Sequence, residues 1–197
     1  MQIDVIKPGI LIRNKNNFIV KAESSVTLIQ TENKTIIVDT SVKKAKNEIF
    51  DGLKKYNLTP AEIDIVFCTH HHLDHISNNH LFENSKMYIN KIEIQSRKHS
   101  NLIPLTIIPN KPFQLTKNVL LIDTPGHTLG STSVIFQLGE IAYVITGDAI
   151  PIQNNFLNWV PPFVNVDPNQ CLKSMEKIKN IADIIIPGHD EMFKIKS

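Results

Sequence analysis

The stretch Thr69-His70-His71-His72-Leu73-Asp74-His75 constrains this chain more than any other. It follows an apolar run, Ile63 to Cys68, that reads as a buried strand. Four metal-capable side chains (His70, His72, Asp74 and His75) crowd into a few residues. If the segment stays extended, His70, His72 and Asp74 project to one side and His71 and Leu73 to the other. His75 then reaches the same side only around a turn. Imidazole nitrogens and carboxylate oxygens at a strand end suit zinc, with iron and manganese as further options.

The remaining elements repeat this arrangement. Residues 18–21 and 25–30 read as strands, and Thr35 to Val38 as a return strand ending at Asp39. Ser41 reads as the cap of a helix from about Val42 to Tyr56, with apolar residues at helical spacing. Thr59-Pro60-Ala61-Glu62 has a capping-box pattern. Ile76 to Phe82 and Ile92 to His99 read as short helices, Lys86 to Asn90 as a strand, and 100–118 as irregular. Val119–Ile122, Thr132–Gln137, Ile141–Ile145 and Asp183–Ile186 read as strands. Pro168 to Ile181 reads as a helix and 149–167 as a loop. His127, Asp148 and His189 each fall just beyond one of these strands, as the histidine cluster does. Ligands gather at the carboxyl ends of strands in mixed sheets, so the four segments are expected to converge on one rim.

The candidate ligands are therefore His70, His72, Asp74, His75, His127, Asp148 and His189. That exceeds one tetrahedral site and suits two adjacent metals. His70, His72 and His127 would form a three-imidazole site and Asp74, His75 and His189 a second, with Asp148 bridging. Two cations lower the pKa of a bridging water toward ~7 and polarise a carbonyl or phosphoryl oxygen. His71 faces away and reads as a packing or supporting group. His80 and His99 read as solvated, and Asp190 as a turn cap or a partner of His189. The lysines at 43, 44, 46, 54 and 55 read as a solvated helix face.

The motifs carry a resemblance. THHHLDH matches the HxHxDH motif of the metallo-β-lactamase superfamily. IIVDTS, PGHTLGST, ITGDA and IPGHD resemble its other motifs in the same order, with intervals that suit the glyoxalase II-like branch. The resemblance spans nearly the whole chain. It implies an α+β fold, a four-layer αββα sandwich of two mixed sheets with helices outside, in one domain over residues 1–197. It also implies two zinc ions per chain and hydrolysis of a thioester, lactone, amide or phosphodiester by a metal-bridging hydroxide. Asp39 would hydrogen-bond near the metal histidines, and Asp74 would have a catalytic role in orienting the hydroxide. The chain is most similar to short hydrolases of the metallo-β-lactamase domain-containing protein 1 type. The tyrosine that acyl-homoserine lactonases carry after the GD motif is absent, since Ala149-Ile150-Pro151 follows Asp148. A mononuclear iron dioxygenase of the persulfide dioxygenase type is the alternative on the same fold, although Gln153-Asn154-Asn155-Phe156 does not match its motif.

Composition narrows the partners. With a formal net charge of +2 and 20% charged residues, the chain has no strong basic footprint. A nuclease acting on RNA or single-stranded DNA thus has weak support, and a small-molecule substrate is expected. No apolar stretch is long enough to cross a membrane, and the start of the chain does not read as a signal peptide, so a cytoplasmic location is expected. Cys68 and Cys171 lack metal or redox spacing, and Cys68 reads as a buried small hydrophobe. Phe156, Trp159 and Phe163 in the 149–167 loop would line a substrate cleft or pack on a second subunit, making a homodimer through this loop the alternative use. A hairpin flap within 10–25 would cover the site.

Overall fold

The computed structural model describes residues 1–94 and 101–195. In the first half the elements are β1 (Gln2–Lys7), β2 (Ile10–Arg13), β3 (Ile19–Glu23), β4 (Val26–Gln30), β5 (Thr35–Val38), α1 (Lys46–Lys54), β6 (Ile65–Cys68), α2 (Leu73–Ile76), β7 (Lys86–Asn90), α3 (Lys91–Ile94) and β8 (Ile103–Leu105). The second half supplies β9 (Phe113–Thr116), β10 (Val119–Asp123), β11 (Thr132–Leu138), β12 (Ile141–Gly147), α4 (Gln153–Leu157), α5 (Pro168–Ile181), β13 (Ile184–Pro187) and β14 (Phe193–Lys194). One sheet has the order β1-β4-β5-β6-β7-β8 and the other β14-β13-β12-β11-β10-β9. Strands β2 and β3 pair only with each other, forming a hairpin at 10–23.

Alternation along the strands builds the layers. Val66 and Cys68 pack outward with Ile37 against Ile49 and Leu53 of α1. Ile65 and Phe67 point the other way and meet Val119, Leu121, Val134 and Phe136 of the second sheet. Beyond that sheet, Ile122, Ile135 and Ile185 pack on Met175 and Ile178 of α5. Three cores between four layers make the αββα sandwich. Strands buried on both faces must be apolar at every position, which is why Ile65–Cys68 and Ile184–Ile186 show no polar alternation. Burial also pushes the Cys68 thiol pKa well up, so it behaves as a small hydrophobe.

Several expected elements differ. The helix expected at Ile76–Phe82 is instead α2, beginning inside the histidine motif, followed by a 3₁₀ turn at Asn79–Leu81. The Asn78 side chain donates to the carbonyls of Thr40 and Val42, pulling the chain out of helical register. Ser41 does not cap α1: its hydroxyl donates to the Ser24 carbonyl, and a 3₁₀ turn at Lys43–Ala45 leads into the helix. The 100–118 segment is not wholly irregular, for β8 extends the first sheet and β9 the second. Pro104 is accommodated because β8 is an edge strand. The 149–167 loop contains α4. Of the helix expected at Ile92–His99, Lys91–Ile94 is helical, and the rest, with His99, lies outside the described residues. The Thr59 capping box forms, with the Thr59 amide donating to Glu62.

Candidate metal centre

The carboxyl ends of β5, β6, β10, β12 and β13 meet at one rim between the sheets. Direct bonds fix that alignment: the Thr132 amide donates to the Thr69 carbonyl at 3.0 Å, and the Ser25 hydroxyl to the Pro187 carbonyl at 2.8 Å. Three groups of side chains present ligand atoms within 4.8 Å of one another: His70, His72 and His127; Asp74, His75 and His189; and His70, His75 and Asp148. All seven residues singled out in the sequence are thus brought together. Alternation accounts for His70 and His72, but α2 starts at Leu73, so Asp74 and His75 come from a helical turn rather than an extended strand.

The rings are oriented by their outer nitrogens. His75 Nδ1 donates to Asp39 Oδ2 at 2.7 Å, His189 Nδ1 to the Glu23 carbonyl at 2.9 Å, and His127 Nδ1 to the Val164 carbonyl at 2.7 Å. Thr69 Oγ1 gives its proton to Asp39 Oδ2 at 2.8 Å and so accepts from His70 Nδ1 at 3.1 Å. In each neutral ring the Nε2 lone pair is then left facing inward. His75 Nε2 and His189 Nε2 stand 3.3 Å apart, and His127 Nε2 is 2.9 Å from His72 Nδ1. Lone pairs at these distances repel unless a proton or cation lies between them. His70 Nε2 is buried with no hydrogen-bond partner. Asp148 straddles the groups, with Oδ1 3.3 Å from His75 Nε2 and 3.2 Å from His189 Nε2, and Oδ2 3.4 Å from His127 Nε2. An orphaned buried imidazole nitrogen and inward-facing lone pairs around a carboxylate are what divalent-ion ligation satisfies, so the donor set fits metal binding.

Electrostatics divide the cluster. Burial, then the neighbouring His75, holds His70 well below the ordinary imidazole pKa. Burial and His127 lower His72 to about 4. Burial would also favour neutral His75, but the Asp39 and Asp148 carboxylates outweigh it and raise its pKa well above the ordinary value. His189 is raised by Asp148 against its own burial. For Asp148, burial opposes ionisation, yet His189 and His75 hold its pKa well below the usual carboxylate range. His70 and His72 are thus held neutral, whereas the carboxylates around His75 and His189 favour positive charge there.

Three supports lie outside the ligand motifs. Asp39 accepts from the Thr69 amide and hydroxyl and from His75, and its backbone sits in the left-handed region at φ 58°, which an aspartate tolerates. Glu93, buried after β7, accepts from the His71 amide at 3.0 Å, Thr128 Oγ1 at 2.8 Å and the Gly130 amide at 2.7 Å, and contacts His71 Nδ1. His71 is therefore a tie to Glu93, which joins the histidine loop to the loop bearing His127. The third support is the end of β3. Glu23 accepts His189 through its carbonyl, the Ser24 amide donates to the Asp74 carbonyl at 3.1 Å, and the Ser25 amide to the Gly188 carbonyl at 2.7 Å. Lys7, wholly buried, holds this strap from below, with Nζ 3.1 Å from the Ser24 carbonyl and 3.3 Å from Glu23 Oε2. Glycine is required at 188, where a Cβ would stand 2.2 Å from Asp148 Oδ1.

The β2–β3 hairpin covers the rim as a flap. The cleft beneath it is walled by Leu11, Arg13 and Ile19 on the flap and by Phe163 and Val164 opposite. The expected aromatic group separates: Phe163 lines the cleft, whereas Phe156 packs on Phe193 and Trp159 lies edge-on to Phe156. Asp190 accepts from the Gln153 amide, a loop tie rather than a ligand role. His80 is exposed, as read from the sequence. Lys44 of the solvated lysine face reaches Glu23 at 2.8 Å. Lys7, Glu23, Glu93 and Arg13 were not foreseen. Glu93 between two isoleucines was a usable hint, since a charge in an apolar run is buried only when paired.

The profile of the metallo-beta-lactamase superfamily matches residues 21–189. Over 190 residues the chain is 43% identical to a probable metallo-hydrolase of Methanocaldococcus jannaschii, covering 96% of this chain and 87% of that protein. It is 28% identical to metallo-beta-lactamase domain-containing protein 1 of Xenopus laevis, covering 89% and 74%. The fold is similar to the crystal structure of a probable metal-dependent hydrolase from Staphylococcus aureus, with a TM-score of 0.78, 21% identity and coverage of 94% and 82%. The ordered ligand motifs, the αββα layers and the matched profile agree, and the chain belongs to the metallo-beta-lactamase superfamily.

Proposed function

We propose that this chain is a dinuclear metal-dependent hydrolase of ester-like bonds. His70, His72 and His127 would hold one divalent ion, Asp74, His75 and His189 the other, and Asp148 would be shared. The observation that carries the reading is the inward convergence of four imidazole Nε2 atoms whose Nδ1 atoms are tied elsewhere, with Asp148 between them. When bound, such ions supply a nucleophilic hydroxide at neutral pH and polarise the scissile group.

The chain's own groups do the positioning. Asp39, Thr69, Glu23 and Val164 lock each ring in the tautomer that presents Nε2. Asp74, which lines the cleft with Oδ2 3.5 Å from His189 Nε2, would also orient the attacking hydroxide. The flap, through Leu11 and Ile19, would shield part of the substrate from bulk water.

The test is elemental analysis of purified protein alongside a screen of thioesters, lactones, amides and phosphodiesters. Two zinc ions per chain, loss of turnover on chelation and recovery on adding zinc are expected. Native-rate hydrolysis by metal-free protein would sink the proposal. One iron per chain, with oxygen consumed on a persulfide substrate, would favour the dioxygenase alternative.

A further inference from the structure

The cleft holds one permanently charged cation, and that cation has no carboxylate partner among the described residues. Arg13 sits at the end of β2 on the inner wall of the flap. Its Nη1 donates to the Asn17 carbonyl at 2.9 Å, and its Cζ lies 5.0 Å from the centre of the Phe163 ring. A guanidinium has five N–H donors, so most of its capacity is uncommitted. The neighbouring cations differ: Lys7, Lys21 and Lys44 are all paired with Glu23. On the cleft side Arg13 is flanked by the apolar Leu11, Ile19 and Phe163, and on its other side by a groove with Asn17, Asn154 and Asn158. Phe163 is 71% exposed and borders the cleft, so it is not a core residue. A guanidinium held over an aromatic ring with most of its donors uncommitted can take an anion through charge-assisted bonds.

We infer that the substrate is an acyl ester or thioester whose acyl chain ends in a carboxylate. The reacting carbonyl lies over the histidine–aspartate cluster, the methylene chain runs along the apolar wall, and the terminal carboxylate meets Arg13. This rests on the hydrolase reading above and adds the chemical class of its substrate. In the reaction a water oxygen adds to the carbonyl carbon and the carbon–sulfur or carbon–oxygen bond breaks. The leaving thiol or alcohol takes one proton, and the acyl part departs as a dicarboxylate with release of the other. Arg13 is a specificity residue and takes no part in proton transfer.

The test uses the metal-loaded protein and N-acetylcysteamine thioesters of butanoyl to octanoyl length, each with and without a terminal carboxylate. At the best-fitting length the native protein should favour the carboxylate form by about tenfold or more in kcat/KM, the scale of one charge-assisted contact. Arg13→Ala should abolish that preference, mainly through KM for the carboxylate form, and Arg13→Lys should restore part of it. A purely structural role for Arg13 would slow both forms alike. No preference in the native protein, or one that survives in Arg13→Ala, would overturn the inference. If neither form is turned over, the thioester hydrolase reading fails separately. Arg13 is then judged by calorimetric binding of adipic acid monoamide against hexanamide, where the same preference supports the inference and equal affinity refutes it.

Discussion

The backbone carbonyl of Glu23 accepts the Nδ1 proton of His189 at 2.9 Å, so the last ligand motif is aimed by a residue far away in the chain. Glu23 in turn is held by Lys7, and both side chains are almost fully buried. Burial opposes the charge on Lys7 and lowers its pKa, while the bond to Glu23 works against that cost. The pair therefore places the strap beneath His189 and Asp74 rather than simply adding stability.

Lys7→Met is expected to destabilise the protein by about 2–4 kcal/mol, because the Ser24 carbonyl and one Glu23 oxygen lose a buried partner. Urea denaturation of chelator-treated protein measures it. The same variant should weaken the second metal more than the first in a stepwise zinc titration. Equal weakening of both would mean that the strap does not act on His189 in particular.

Glu23 links stability to acidity. Burial would raise its pKa, but Lys44, Lys21 and Lys7 outweigh this and bring it down to about 2. A carboxylate whose folded pKa lies below its ordinary value of 4.5 stabilises the fold above that value, and the contribution is lost as pH falls toward the folded one. Melting temperatures of the metal-free native protein should thus fall between about pH 4.5 and 2, with part of the fall missing in Glu23→Gln. Parallel curves for the two proteins would rule Glu23 out as a source.

His72→Ala and Asp148→Ala should lower metal content and activity together while leaving the fold largely intact. His72 serves one triad, so its variant is expected to retain one ion per chain. Asp148 faces both triads through separate oxygens, so its variant should weaken both. Activity should fall by roughly a hundredfold or more in either case. Elemental analysis and circular dichroism on the same samples separate metal loss from unfolding.

Asp39→Ala removes the acceptor shared by the Thr69 amide, the Thr69 hydroxyl and His75 Nδ1. Metal affinity should drop by about 10–100-fold, the usual scale for a group that orients ligating imidazoles. Competition against a chromophoric chelator reads this directly. Unchanged affinity would mean that packing alone orients His70 and His75.

Much of this protein is legible in its sequence because the decisive patterns are local. His70 and His72 follow an apolar strand and lie two residues apart, so strand geometry alone puts them on one face. His127, Asp148 and His189 each close an apolar strand, and strand ends in a layered fold converge. The short edge strands β8 and β14 were not legible, since their few residues carry no periodicity, nor was β1, whose role depends on the β4 it pairs with.

The sequence by itself brought out the seven candidate ligands, through residue type and spacing at strand ends, and pointed to the sandwich through its resemblance to the metallo-β-lactamase superfamily. Only the tertiary structure decided which groups hold the ligands in place: the Glu23 carbonyl on His189, the Val164 carbonyl on His127, Glu93 across two loops, and Arg13 on Phe163. Backbone carbonyls are identical at every residue, and buried ion pairs join positions far apart in the chain. Neither leaves a periodic or local trace, so their roles exist only once the layers have packed.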